Sequence, residues 1–390
     1  MSAASYGRMK AVDNDSSLIP GRTPMKFESF LALICLAVLC ITLSLGLWPF
    51  HSPRSDASWP PNQNALEFGK YSSAFSLRSL PPTTAPEATI EIWLLPRRIW
   101  DSGTALSFYN AETRSQFSIR QSLTDLALEA ETQNPHINHR FCVDDLFRPR
   151  RPVFLTVTAG QQGVSVYLDG APAKTVPHFP LAANAFTGRL IVADSAWQTD
   201  NWRGQIFALA IYHRALTPQE VRQNYTDWKQ KGRPEIAADR RNVALYLFDE
   251  HTGSIVHDKS PSAIDLYIPP RYQVIDKIAL EPVWSEFSLT RSYWSAALKN
   301  IVGFMPFGFC YYAFLSTVLK LKRAKLITIL LGTAVSLTIE VLQAFLPTRD
   351  SGTTDILTNT LGTWVGVWSY TLFIPILTRF FPSLPLPKYQ

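Results

Sequence analysis

The sequence predicts a two-part membrane protein: an α-helical bundle of four transmembrane helices, and an antiparallel β-sandwich inserted after the first of them. Three observations carry this. Long apolar runs stand at Phe27–Trp48, 301–319, 326–347 and 356–377. The mean hydropathy of +0.01 over 390 residues averages those runs with an ordinary soluble stretch between about 51 and 298. Within that stretch apolar residues recur with period two, and turn residues punctuate them.

Each run has the roughly 20 apolar residues that a helix rising 1.5 Å per residue needs to cross a bilayer core. The formal net charge is +6, but its placement is topological. Arg8, Lys10, Arg22 and Lys26 precede the first run, Lys320, Lys322, Arg323 and Lys325 fill the loop between the second and third, and Arg379 and Lys388 follow the fourth. With four crossings all three clusters fall on one side, which the positive-inside rule makes cytoplasmic. The expected order is a cytoplasmic tail (1–26), helix 1 (27–48), an extracytoplasmic sandwich (64–290), a three-helix segment (293–378) and a cytoplasmic tail (379–390). A nucleic-acid partner is not expected. A cleaved signal peptide is the alternative for the first run, but the run is long for a signal's apolar region, and the nearest small-residue site, Ser55-Asp56-Ala57, lies well past its end. Cys35, Cys40 and Cys310 fall inside runs, and Cys142 alone lies in the soluble region, so no internal disulfide is expected there.

Strands are legible in Thr89–Leu94, Phe117–Arg120, Phe154–Thr158 and Val164–Leu168, with Asp169-Gly170 closing a hairpin. Short strands with regular turns indicate two packed sheets. The strand Ile90-Glu91-Ile92-Trp93-Leu94, the hairpin Val166-Tyr167-Leu168-Asp169-Gly170 and the segment Trp202–Tyr212 followed by His213–Val221 resemble, in that order, laminin-G-like, concanavalin A-like (jelly-roll) domains. Residues 243–268 resemble the stretch that usually opens such a domain, and are expected to add displaced edge strands, since too few residues remain for a second core. The resemblance implies lectin-like carbohydrate or protein binding, with Trp197, Trp202 and Trp228 as candidate glycan-stacking residues. The plainer reading puts Trp93 and Trp202 in the core and leaves the other tryptophans as scattered surface aromatics. Glycanase chemistry needs paired carboxylates, and no Glu-x-Asp-x-x-Glu run occurs; Asp144-Asp145 and Asp249-Glu250 are adjacent pairs whose members point to opposite faces of a strand. Calcium binding occurs in this family, but no Asp-x-Asp run within the sandwich supports it here. His136, His139 and Cys142 have a metal-like spacing without a fourth ligand. No cofactor or metal is expected.

Polar residues in membrane helices are costly and call for an account. Asn300 opens the second run, Glu340 and Gln343 share a face of the third, Arg349 and Asp350 lie in the following loop, and Asp355 and Asn359 share a face at the start of the fourth. On the expected topology all seven fall at the outer-leaflet level. Gly362 and Gly366 form a small-xxx-small pair for close helix contact. The pattern Asn300…Phe304-x-Pro306-x-Gly308, Glu340-x-x-Gln343, Arg349, Asp355-Ile356-Leu357-x-Asn359-x-x-Gly362 resembles the VanZ-like family over residues 293–378, with Phe27–Trp48 as its displaced first helix. That family is associated with lowered sensitivity to a teicoplanin-type antibiotic; what the resemblance implies here is a multi-pass protein of the bacterial plasma (inner) membrane with a polar site. One reading of the polar layer is a site for an anionic lipid or cell-wall precursor, held by Arg349 and the N-terminal amides of the fourth helix. The other is structural: the amides and acids pair among themselves, and Asp355 caps the fourth helix. An intramembrane enzyme ranks last, because no nucleophile or metal set accompanies Glu340 or Asp355.

Overall fold

A computed structural model of the chain describes residues 27–82, 87–132, 139–160, 162–181, 184–197, 199–232 and 242–380. His136, the N-terminal tail and residues 381–390 of the C-terminal tail lie outside the described residues.

Helix α1 (Phe27–Leu47) is followed by β1 (Leu66–Phe68), β2 (Ala74–Ser76), β3 (Ala88–Pro96) and β4 (Ser102–Asn110). Then come β5 (Ser115–Ser122), β6 (Asp125–Thr132), β7 (His139–Val143), β8 (Val153–Gly160), β9 (Gly163–Leu168) and β10 (Ala171–Val176). β11 (Arg189–Val192) and β12 (Gly204–Tyr212) lead into α2 (Pro218–Lys231). β13 (Asn242–Tyr246), β14 (Ile255–Val256) and β15 (Leu266–Tyr267) precede the short α3 (Val283–Glu286) and the long helices α4 (Arg291–Thr317), α5 (Ala324–Gln343) and α6 (Thr353–Phe380).

The strands form two antiparallel sheets. One runs β1-β12-β3-β8-β9-β10, with β13 also pairing β12; the other runs β14-β15-β2-β11-β4-β5-β6-β7. Alternate residues of each strand face inward, so Ile90, Ile92, Leu94, Leu106, Phe108, Phe117, Ile119, Leu155, Val157 and Val166 meet in one core between the sheets. The β9–β10 hairpin turns through Asp169 (φ 50°) and Gly170 (φ 77°), the left-handed pair that a two-residue turn of matching twist requires. Residues 242–267 supply edge strands to both sheets, so a segment late in the chain completes the sandwich.

Helix α2 is absent from the sequence reading, which took this segment only as part of the closing motif. Its start is a capping box: Glu220 N donates to Thr217 Oγ1, Thr217 N donates to Glu220 Oε2, Pro218 occupies the first turn, and Gly232 (φ 68°) ends the helix. α2 covers the outer face of the first sheet, where Val221 and Trp228 pack on Phe154, Tyr167, Ala208 and Tyr212.

Helices α1, α4, α5 and α6 pack as a bundle. Gly308, Gly362 and Gly366 lie where α4 and α6 touch: a Cβ on any of them would collide with the backbone of Thr363, Ile301 or Met305, respectively. α4 begins at Arg291, ten residues ahead of the expected 301, because Thr290 caps a more polar opening turn by accepting from Tyr293 N. Among the described residues two helices, Phe27–Leu47 and Ala324–Gln343, are long and apolar enough by composition to cross a membrane, against the four expected. Polar and tyrosine side chains such as Asn300, Tyr311 and Tyr312 in α4, and Asn359 and Thr363 in α6, dilute the apolar content of the other two.

Candidate functional site

The C-terminal ends of α1 and α5 and the N-terminal ends of α4 and α6 meet at the end of the bundle next to the sandwich. A cavity of about 250 Å³ opens there. Its lining includes Asn300, Glu340, Gln343, Arg349, Asp355 and Asn359, six of the seven polar residues singled out in the sequence. Asp350 does not line it and is exposed. Lys299, which the sequence reading passed over, lines it too, and α1 contributes an apolar wall of Val38, Ile41 and Leu45.

The polar side chains are partly knitted together. Asn300 Nδ2 donates to Asp355 Oδ1 (2.7 Å), Asn359 Nδ2 to Ser336 Oγ (2.9 Å), and Gln343 Nε2 to Gly46 O (2.8 Å), which ties α5 to α1. Glu340 accepts from Gly352 N at 2.9 Å. The buried oxygens Gln343 Oε1 and Asn359 Oδ1 and the buried Arg349 Nε have no partner. Arg349 also takes no part in the ion pairs found among the described residues.

The cavity's rim is held by the segment that joins sandwich to bundle, a feature the sequence reading missed. Lys277 Nζ donates to Gln343 O (2.7 Å) and to the carbonyl oxygens of Leu346 and Arg349, closing the C-terminal end of α5 with a cation, as the helix dipole favours. Burial holds its ammonium down at about 8, while Asp350 draws it up. Thr353 N donates to Glu281 O and Thr354 N to Glu286 Oε2, both at 2.9 Å. Thr199 Oγ1 reaches Pro347 O from the sandwich itself (2.6 Å). Burial raises the Glu286 carboxyl above its ordinary range, against the pull of the Thr354 donors. The usable signal was positional: Lys277, Glu281 and Glu286 stand in the short stretch between the last strand and the second run.

Two expectations are corrected here. The amides at the start of α6 do not await an anion, since Glu340, Glu281 and Glu286 accept from Gly352, Thr353 and Thr354. Asp355 is likewise not the cap; it accepts from Asn300.

In the sandwich, Trp202 (1 % exposed) and Trp228 (2 % exposed) have no free ring face to offer a sugar. Each is buried because its indole N–H finds an internal acceptor: Trp202 Nε1 donates to Gln121 Oε1 (2.9 Å) and Trp228 Nε1 to Glu91 Oε2 (3.0 Å). Trp197 is half-buried, edge-on to Tyr109 with ring centroids 5.7 Å apart. Trp93 lies on the outer face, against Phe154 and Phe207, rather than in the inner core. Among the described residues no group of three His, Cys, Asp or Glu side chains is placed to hold a metal ion.

Comparison with known proteins matches residues 69–222 to a family model described as the concanavalin A-like lectin/glucanases superfamily, of laminin-G type, and residues 241–374 to the VanZ/LLP1 model. The second match begins upstream of the helices and takes in β13–β15. No curated protein matches the chain. Among solved structures, a heptameric pentraxin from Limulus polyphemus is 16 % identical, over 43 % of this chain and 80 % of its own, with a TM-score of 0.34. Domain 4 of an extracellular arabinanase from Geobacillus stearothermophilus, in complex with arabinotriose, is 16 % identical over 44 % and 84 %, with a TM-score of 0.33. A Ruminococcus gnavus sialidase domain bound to sialyllactose is 12 % identical over 35 % and 80 %, with a TM-score of 0.31. The chain thus joins a laminin-G-type, concanavalin A-like domain to a VanZ-like region.

Proposed function

We propose that this is a bacterial cell-envelope membrane protein whose helical cavity binds the head group of an envelope lipid or cell-wall precursor, beneath an extracytoplasmic domain that recognises glycan or protein. In this reading α1, α4, α5 and α6 all cross the bilayer, and both termini are cytoplasmic. Support for the placement comes from the bundle's exterior, where Leu33, Leu36, Leu298, Val302, Leu330, Leu361, Trp364 and Phe373 are exposed, as lipid contact requires. The exposed Lys320, Lys322, Arg323 and Lys325 lie at the end opposite the cavity.

The observation that carries the reading is convergence. Residues far apart in sequence, on three helices and one loop, line one cavity that also has an apolar wall. For the sandwich, support rests on the family match alone, and Trp197 is the remaining one of the three proposed stacking residues. The test is mass spectrometry of lipids co-purifying with the wild-type protein and with Glu340→Ala. The variant is expected to lose at least one species that the wild type retains at equal yield; identical lipid profiles would count against the cavity as a binding site.

A second reading makes the helices purely structural, holding a recognition module outside the cell. The Asn300–Asp355 and Asn359–Ser336 pairs favour it, because they fix helix packing without a ligand. Under it, the sandwich carried on an unrelated membrane helix keeps full function.

A further inference from the structure

The cavity's charges do not suit a purely anionic ligand. Two carboxylates, Glu340 and Asp355, line it alongside the cations Arg349 and Lys299, so an anion drawn to Arg349 meets two acids, and a simple cation meets Arg349. The unmet hydrogen-bonding capacity is also of both kinds. Gln343 and Asn359 are 2 % and 5 % exposed, and each spends its amide N–H on a neighbour (Gly46 O and Ser336 Oγ), leaving Oε1 and Oδ1 as buried acceptors without donors. Arg349 Nε is a buried donor without an acceptor. Unsatisfied buried polar atoms are costly, and here donor and acceptors belong to residues that line one cavity. A ligand that answers both must carry an oxyanion for Arg349 and N–H donors for the acids and amide oxygens.

Resting on the cavity as a binding site, we propose that its ligand is a zwitterion of the phosphate–ammonium type: the phosphate paired with Arg349, the ammonium directed to Glu340, Asp355 and the free amide oxygens. A guanidinium takes a phosphate in a fork geometry, and an ammonium supplies three donors. The apolar wall along α1 favours the lipid-borne form, since Ile41 and Leu45 are exposed on the bundle's exterior, where an acyl chain can follow them out.

The test titrates detergent-solubilised full-length protein with short-chain phosphatidylethanolamine, short-chain phosphatidylglycerol and free phosphoethanolamine. The ethanolamine lipid is expected to bind at least about tenfold more tightly than the glycerol lipid, and Glu340→Gln and Arg349→Gln are each expected to weaken it by about tenfold or more. Free phosphoethanolamine binding as tightly as its lipid would support the zwitterion and assign it to a solute. Phosphatidylglycerol binding as well as phosphatidylethanolamine would overturn the zwitterion while leaving the cavity a lipid site. Absence of binding by all three in the wild type would overturn the zwitterion. The comparison between lipids is made on the wild-type protein, so it stands even where a variant fails to fold.

Discussion

Each half of the molecule buries a glutamate, and the two are surrounded in opposite ways. Glu91, on the outer face of β3, accepts from Tyr212 Oη (3.1 Å), Trp228 Nε1 (3.0 Å) and Asn224 Nδ2 (2.8 Å). Both of its oxygens are engaged, and the donors come from β12 and α2, so the carboxylate bolts the helix to the sheet. Glu340, at the end of α5, has one backbone donor, Gly352 N, and faces a cavity. The difference separates a buried acid whose neighbours complete it from one whose neighbours leave room for something else. Burial alone does not distinguish them; the inventory of donors does.

The largest effect expected from breaking this comparison falls on the sandwich. Glu91→Ala removes the shared acceptor of three buried donors, and should cost about 3–5 kcal/mol of sandwich stability, as leaving several buried donors without an acceptor does. Thermal unfolding of the full chain, followed by tryptophan fluorescence, should show the transition lowered, because Trp228 reports on this site. An unchanged transition would mean that α2 is held by its apolar contacts alone.

A smaller effect should appear with pH and no mutation at all. Asp194 in the sandwich accepts from Ser195 N, Asp200 N and Tyr272 Oη, yet burial outweighs these donors and raises its carboxyl to about 7. The unfolded chain releases this proton near 4. Between roughly pH 4 and pH 7 the folded state therefore binds more protons, and stability falls as pH rises, with the contribution gone above 7. Glu131, raised to about 8 chiefly by burial, acts in the same direction. Sandwich stability should be about 2–3 kcal/mol greater at pH 5 than at pH 8 from Asp194 alone. Chemical unfolding at the two pH values checks this, and Asp194→Asn should shrink the difference by about 2–3 kcal/mol while leaving the share due to Glu131.

How much of this was legible in the sequence varies with the kind of interaction. The strands at Thr89–Leu94 and Phe154–Thr158 and the turn at Asp169-Gly170 were readable, because period and turn chemistry are local. Helix α2 was locally signalled by Thr217-Pro218-Gln219-Glu220, a capping box overlooked inside the closing motif. Glu91 was not legible as a bolt: alternation assigns it to the outer face of its strand, and nothing local says that a helix 130 residues later covers that face. Trp228, taken either as a stacking residue or as a surface aromatic, was misread for the same reason, since its acceptor, Glu91, is brought to it only by tertiary structure, whereas Trp202 lies in the core as the plainer reading had it. The polar layer of the bundle was readable because apolar surroundings make each polar residue conspicuous. Lys277 and Glu286 were hidden because they stand outside the apolar runs, in a stretch where charge is ordinary.

The smallest stability effect is expected at Glu340, and its smallness is the informative part. Glu340→Gln keeps an oxygen to accept from Gly352 N, so the cap on α6 survives and thermal stability should change by less than about 1 kcal/mol. What the substitution removes is the negative charge that faces the cavity, together with the acceptor capacity that no protein donor uses. If Glu340 were a second Glu91, neutralising it would disturb a completed network, and the bundle would loosen in proportion. Loss of lipid binding with an unmoved unfolding transition therefore sets the two glutamates apart. A transition lowered by several kcal/mol would place Glu340 with Glu91 as packing, and would favour the reading in which the helices serve only as an anchor.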